Sequence, residues 1–387
     1  MKRVTIVQPS LAKYRAPVYR ALAQRPGVDL HVIYAQRADI PNIDPDGFSA
    51  SFEPLRRVRI GHETMLWHGA QLSYATRQHS DVLILSWDVH YASLIPALLR
   101  ARANGVATVL WGHGYSKRER RWRAWLRTVP ARIGDTLLFY SENPARDYIE
   151  KYGFPPHRVV VAPNALDQAS MESACAAWSA MPDQLARFKE KNGLVGKRVV
   201  LFCSRLSKEN RVDLLLLATA ELKKSFPNVR VIIVGSGADE SNLCRLASEL
   251  KLIEHIRFIG AIYDEMELAP WFLSADVYCY PENIGLSLLH AFGYALPVVT
   301  SDKREAHNPE IEALRPYQNG LLYRHGDHRS LTDCLHQLFT DEALRKGMAA
   351  EAKRTITEIF TLEKMVDGFV NAIEISLSDK GGTFNGY

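Results

Sequence analysis

Short apolar runs rich in β-branched residues alternate with helix-length amphipathic segments along this chain, and the alternation runs through it twice. The first series is "RVTIVQP" (3–9), "DLHVIYA" (29–35), "DVLILSW" (81–87), "VATVLWG" (106–112), "DTLLFYS" (135–141) and "RVVVAPN" (158–164). The second is "RVVLFCS" (198–204), "VRVIIVG" (229–235), "HIRFIGA" (255–261), "ADVYCYP" (275–281) and "LPVVTSD" (296–302). Strands that are apolar on both faces need cover on both faces, so helices must pack on either side of parallel sheets. The pattern predicts an α/β protein with two doubly wound domains, and 387 residues are enough to give each its own core.

The domains are expected at 1–170 and 171–361, because 167–196 carries no strand pattern before the second series begins. The last helical stretch, "LEKMVDGFVNAIEISL" (362–377), lies beyond the second sheet; it is expected to pack back on the first domain, with a loose tail to 387. Open parallel sheets bind ligands at the carboxyl ends of their strands, so two of them predict a ligand cleft.

No apolar run reaches the ~18 residues needed to cross a bilayer, and "MKRVTIVQPS" enters a strand, not a signal-peptide core, so a cytoplasmic protein is expected. The cysteines (Cys175, Cys203, Cys244, Cys279, Cys334) are widely spaced with no CxxC pair, and read as buried free thiols. The net charge of +5 is uneven: residues 1–170 hold 23 Lys and Arg against 14 Asp and Glu, a balance of +9 that leaves −4 for the remainder. Most of that excess lies in "KRERRWRAWLRTVPAR" (117–132). On a helix, Trp122, Trp125, Leu126 and Val129 form one apolar stripe among arginines. Such a face suits an anionic membrane surface, peripheral attachment being one reading and docking on the protein's own core the other. No recognition fold accompanies the charge, so nucleic acid is not an expected partner. The pair Asp44 and Asp46 sits in the loop "DIPNIDPDGF" and reads as a solvated turn, not a metal site.

The loop after "RVVLFCS" carries Arg205, Lys208 and Arg211, charge-assisted donors for a diphosphate. After "ADVYCYP" come Glu282, Asn283, Ile284 and Gly285, and Leu286 then opens a helix whose first N–H groups form an anion site. Gly285 lets a phosphate approach the backbone closely. The residues by themselves point to a phosphorylated ligand above the second sheet.

In order and spacing, "SRLSKENRVDLLLLA", "VRVIIVGSGADESNLCRLA", "IRFIGAIYDEMELAPWFLSADVYCYPENIGLSLLHAFGYALPVV" and "NGLL" (319–322) resemble the nucleotide-binding half of the retaining glycosyltransferases of family 4, which have the GT-B fold. The likeness covers 196–361 and is looser before that, where "RIGDTLLFYSENPARDYIEKYGFPPHRVVVAPNALD" resembles the end of the family's acceptor domain. It implies transfer of a sugar from a nucleoside-diphosphate donor, with retained anomeric configuration and no metal or other cofactor. The implied acceptor is a glycan or a polyprenyl-linked saccharide in cell-surface polysaccharide assembly.

The resemblance also assigns residues. Glu282 is the first glutamate of the family's Glu-x7-Glu motif and would hold hydroxyls of the donor hexose, while residues 283–286 would face sugar and phosphates. The second glutamate falls on His290, which would meet the ribose with one donor and one acceptor where a carboxylate accepts from both hydroxyls. A polysaccharide-building branch of the family is similar in having "GLSxxHA" there. The family's Arg and Lys pair falls on Arg205 and Asn210, so Lys208 or Arg211 is expected to supply the missing cation. His113, after "LWG", is expected near the reacting sugar, Glu310 near the donor, and Lys13 and Arg15 of "SLAKYRAP" at an acceptor phosphate. Departure of the diphosphate would be assisted by Arg205, a neighbouring cation and the helix N-terminus. The departures at 210 and 290 keep open a catalytically silent GT-B subunit that binds a nucleotide sugar or a partner enzyme. A sugar-nucleotide epimerase or a phosphorylase of the same fold is the third reading.

Overall fold

A computed structural model describes residues 1–37, 40–60, 63–115 and 121–381, the side chains of 60, 63 and 121–124 excepted. The chain forms two compact units, Met1–Asn164 with Leu362–Tyr387, and Ala165–Thr361. The first contains β1 (Lys2–Gln8), β2 (Val28–Tyr34), β3 (Ser49–Phe52), the hairpin β4 (Leu55–Ile60) and β5 (Glu63–His68), then β6 (Val82–Ser86), β7 (Ala107–Gly112), β8 (Thr136–Phe139) and β9 (Val159–Val161). Its sheet runs β3-β2-β1-β6-β7-β8-β9, and every pairing in it is parallel. All residues of β7 and β8 are buried, which is why both read as unbroken apolar runs.

The second unit contains β10 (Arg198–Cys203), β11 (Val229–Val234), β12 (Ile256–Gly260), β13 (Val277–Cys279), β14 (Val298–Ser301) and β15 (Gly320–Tyr323). These also pair in parallel, in the order β12-β11-β10-β13-β14-β15. Each sheet reverses its strand order beside its first strand, and each unit has its own core: Leu83, Leu110, Leu137 and Phe139 in the first, Leu201, Phe202, Ile233 and Phe292 in the second. The doubly wound α/β expectation therefore holds in both units.

The seam lies at 164/165, ahead of the 170/171 expected. Asn164 belongs to the first unit because its side-chain oxygen accepts from Arg15 Nη1 at 2.8 Å. Met171 and Ala174, by contrast, are buried in the second core, with Leu166 packed against it. The last helix, Leu362–Ser378, packs in the first unit, where the Phe369 and Trp111 ring centroids are 4.7 Å apart and Asp367 pairs with Arg25. A Cβ at Gly368 would lie 2.7 Å from that of Ala162, so a side chain there would push this helix off the sheet. The thiols are less uniform than expected: Cys279 is buried and Cys244 exposed.

Of the basic segment, residues 117–120 and the side chains of Arg121, Trp122 and Arg123 lie outside the described residues. The helix Arg121–Ile133 turns Thr128, Pro130 and Ala131 inward, with Arg127, while Trp125 is 65% and Leu126 42% exposed. Docking of the tryptophan stripe on the protein's own core thus fails at those two positions. The helix Leu94–Ala103 packs beside it and exposes Ile95 and Leu99. No helix among the described residues is long and apolar enough to cross a membrane. Asp46 pairs with Arg20 at 2.7 Å in an exposed loop.

Candidate functional site

Loops at the carboxyl ends of β10, β11 and β12 enclose a recess of about 530 Å³, lined by Cys203–Arg205, Val234–Gly237 and Ala261–Tyr263. Two glycines let its loops touch. Gly235 has φ +142°, and a Cβ there would stand 1.9 Å from the Ser204 carbonyl oxygen; one at Gly237 would stand 2.2 Å from that of Leu206. The Leu206 N–H instead donates to the Ser236 carbonyl at 2.9 Å. No side chain fits at either position without parting the loops.

Ser204 and Arg205 also border a second recess of about 370 Å³, lined further by Ser207, Asn210, Tyr280, Asn283, Gly285–Ser287 and Asn308. Burial pushes the Tyr280 phenol up to about 12, so it keeps its proton and donates to Ser204 Oγ at 3.1 Å. The helix Leu286–Gly293 begins here with Gly285 as its uncapped N-cap. A Cβ on Gly285 would lie 2.9 Å from Asn308 Nδ2, which itself donates to the Asn283 and Ile284 carbonyls at 3.2 Å. The first-turn N–H groups of that helix therefore stay without a side-chain cap at the rim of the recess, the arrangement that attracts an anion.

The sequence-derived residues divide. Arg205 borders both recesses, is exposed and has no carboxylate partner among the described residues. Asn283, Gly285 and Leu286 line the second recess, whereas Ile284 does not: its side chain is buried and its N–H is spent on His307 Nδ1 at 3.2 Å. Neither cation proposed for the missing lysine lines these recesses. Lys208 and Arg211 line a different one with Asp213 and Asp239, and the Arg211 guanidinium is held by Asp213 through two contacts of 2.9 Å. Asn210 has a structural task instead. Its Nδ2 donates to the Arg205 carbonyl at 2.6 Å and its Oδ1 accepts from Asn283 Nδ2 at 2.9 Å, so it stitches together the two loops that make the recess.

Glu282 is 8% exposed and lines neither recess; its Oε1 lies 3.0 Å from His325 Nδ1. His290 Nε2 lies 2.9 Å from Glu265 Oε1, and Tyr294 donates its hydroxyl to the same oxygen. Burial and the Glu265 carboxylate both raise the Tyr294 phenol, keeping it a donor. His290 thus already engages a carboxylate at the position where the motif would have supplied one. Glu310 is buried in the turn Pro309–Ala313 and lines neither recess.

In the first unit, His113 follows β7, is exposed, and has its ring 4.7 Å from that of Tyr140. Lys13 is exposed on the turn Lys13–Arg15. Arg15 is not available to an acceptor phosphate: it is buried, donates to Asn164, and lies 4.6 Å from the Trp111 and 4.9 Å from the Tyr140 ring centroid. A guanidinium between aromatic faces is a structural cation. Sequence reasoning missed Ser204, Gly235, Gly237, Ser287 and Asn308 as lining residues. Only the "GSG" directly after an apolar strand carried a signal.

Residues 184–355 match the family described as glycosyl transferases group 1, and residues 18–170 the one described as glycosyltransferase family 4. A GDP-mannose-dependent α-(1-6)-phosphatidylinositol monomannoside mannosyltransferase of Mycolicibacterium smegmatis is 30% identical over 277 residues, 68% of each chain. The phosphatidyl-myo-inositol mannosyltransferase of Mycobacterium leprae is 33% identical over 202 residues, 51% of this chain and 48% of that one. The matched part of this chain thus spans about half the length of that relative. The crystal structure of Anabaena HepE in complex with UDP superposes with a TM-score of 0.72 at 16% identity, covering 96% of this chain and 99% of that one. With both halves matched and the fold shared, the chain belongs to glycosyltransferase family 4, the group-1 glycosyl transferases of GT-B fold.

Proposed function

We propose that the protein transfers a hexose from a nucleoside-diphosphate sugar to a glycan or lipid-linked saccharide, with retention of configuration, in cell-surface polysaccharide assembly, as a member of the "GLSxxHA" branch. The observation that carries this is the pair of joined recesses. One, at the carboxyl ends of β10, β11 and β12, is assigned to the nucleoside, and the other, with Arg205 and an uncapped helix N-terminus, to the diphosphate. HepE was crystallised with UDP and with UDP-glucose, and the mycobacterial relatives are named for lipid acceptors.

Arg205 and the helix N-terminus stabilise the charge that grows on the leaving diphosphate. Glu282 holds hexose hydroxyls, and no side chain is assigned as covalent nucleophile. The acceptor attacks from the face the diphosphate leaves, and the leaving phosphate takes its proton. His113 positions the reacting sugar and Lys13 meets an acceptor phosphate. The reading uses no metal, so activity persists in EDTA. A thermal-shift screen over UDP-, GDP-, ADP- and TDP-sugars tests it. A donor at 100 times its dissociation constant adds about 2.7 kcal/mol, on the order of 5–10 °C for a unit of this size. No shift with any of them overturns the reading. A shift with no slow donor hydrolysis favours the silent subunit instead.

The exposed Trp125, Leu126, Ile95 and Leu99 lie on two helices whose segments contain no acid. Both follow strands of one sheet and pack into the same core, which places them on one face of it. This face is assigned to an anionic membrane surface on the cytoplasmic side. Each basic side chain near such a surface contributes about 1 kcal/mol. The protein is expected to sediment with phosphatidylserine vesicles, less so as salt rises from about 0.05 to 0.5 M. Arg120, Arg121 and Arg123 changed to Ala, or Trp125→Ala with Leu99→Ala, should each weaken it. Unchanged sedimentation of both variants would favour a soluble acceptor.

A further inference from the structure

We infer that His325 is a positioning residue for Glu282, holding one carboxylate oxygen so that the other meets the donor sugar; this rests on the reading of Glu282 above. The two side chains are 43 positions apart in the chain, Glu282 after β13 and His325 after β15. They are brought together by a rigid frame. The Pro281 carbonyl accepts from the Ser301 N–H and from the Tyr323 hydroxyl, both at 3.1 Å, and the His325 N–H donates to Asp302 Oδ1 at 3.0 Å. Strand β14 and its following residues thereby fix both ends of the pair.

Glu282 Oε1 and His325 Nδ1 are each sealed from solvent and lack a hydrogen bond, although they stand only 3.0 Å apart. The distance is right and the direction is not. A small rotation of the imidazole aims Nδ1–H at Oε1, and the neutral ring suffices for that bond. Oε2 is not sealed in this way, which leaves it to a ligand. A sealed carboxylate oxygen without a donor is costly, and His325 Nδ1, 3.0 Å away, is placed to act on it when the site is occupied.

The test uses the whole protein, with UDP-glucose and GDP-mannose as donors and UDP and GDP as the same ligands without sugar. His325→Ala should weaken the sugar nucleotide, or slow its turnover, about 10- to 100-fold, the value of a hydrogen bond to a charged group. Affinity for the bare diphosphate should stay within about 2-fold. His325→Asn puts an amide N–H where Nδ1 stands and should recover most of the loss. His325→Gln, which reaches to the Nε2 position, should not. In a Glu282→Ala background, His325→Ala should add no further loss. Equal losses for sugar nucleotide and diphosphate, full activity of His325→Ala, or an undiminished loss in the Glu282→Ala background each overturn the inference. If Glu282→Ala itself behaves as wild type, the reading of Glu282 falls and the inference with it. If Glu282→Ala is impaired and His325→Ala is not, the inference alone falls.

Discussion

Glu282→Ala is expected to lower kcat/KM for sugar transfer by about 10²- to 10⁴-fold, the cost of two charge-assisted hydrogen bonds to donor hydroxyls. The fold should not suffer. Glu282 is 8% exposed, with Oε1 sealed and without a hydrogen bond, so the native state carries an unsatisfied carboxylate oxygen that alanine removes. Buried polar atoms without partners are destabilising, and a site that keeps one is sacrificing stability for function. The melting temperature of the variant should therefore equal or exceed that of the wild type. Loss of activity with unchanged or raised melting temperature, measured by donor turnover and calorimetry on the same preparation, is the expected pair of results. Wild-type turnover would remove Glu282 from the site, and a melting temperature several degrees lower would make it a structural residue.

The strands buried on both faces were legible in the sequence because burial on both sides demands unbroken apolar runs, as in "VATVLWG". The elements that escaped lack that demand. Strand β3 is a partly solvated edge, the hairpin partner β4 reads "LRRVRI", and β15 is an edge strand of four residues. At the site, single-loop features were legible: Arg205, Gly285 and the helix start all follow from what succeeds a strand. What needed three dimensions was partnership. His290 stands where a carboxylate was expected, and the carboxylate it meets, Glu265, comes from another helix. Lys208 and Arg211 were close enough in sequence to replace a lysine, yet Asp213 takes Arg211 and Asn210 fills the gap as a hydrogen-bonding stitch. Arg15 looked like a phosphate ligand because a charge in a loop reads as solvated. Nothing local reveals that Trp111 and Tyr140, far along the chain, close over it.

Arg205→Ala is expected to weaken a nucleoside diphosphate by about 10- to 100-fold while leaving the corresponding nucleoside almost unchanged, since an arginine–phosphate contact is a charge-assisted bond and its partner is absent from the nucleoside. Two features make the split sharp. Arg205 borders both recesses, so it stands where they meet, and the neighbouring cations Lys208 and Arg211 line a different recess. No second side-chain cation among the lining residues can compensate; what remains is the helix N-terminus at Gly285, whose dipole is worth less than a full charge. Arg205 also has no ion pair among the described residues, so its removal should change stability by no more than about 0.5 kcal/mol. Arg205→Lys keeps the charge but loses the fork, and should recover part of the loss. Calorimetric titrations of UDP against uridine, and of GDP against guanosine, read the effect directly. A variant that loses nucleoside and diphosphate affinity equally would place Arg205 at the base, and one that loses neither would return the diphosphate to Lys208 or Arg211 through a loop movement that breaks the Asp213 pair.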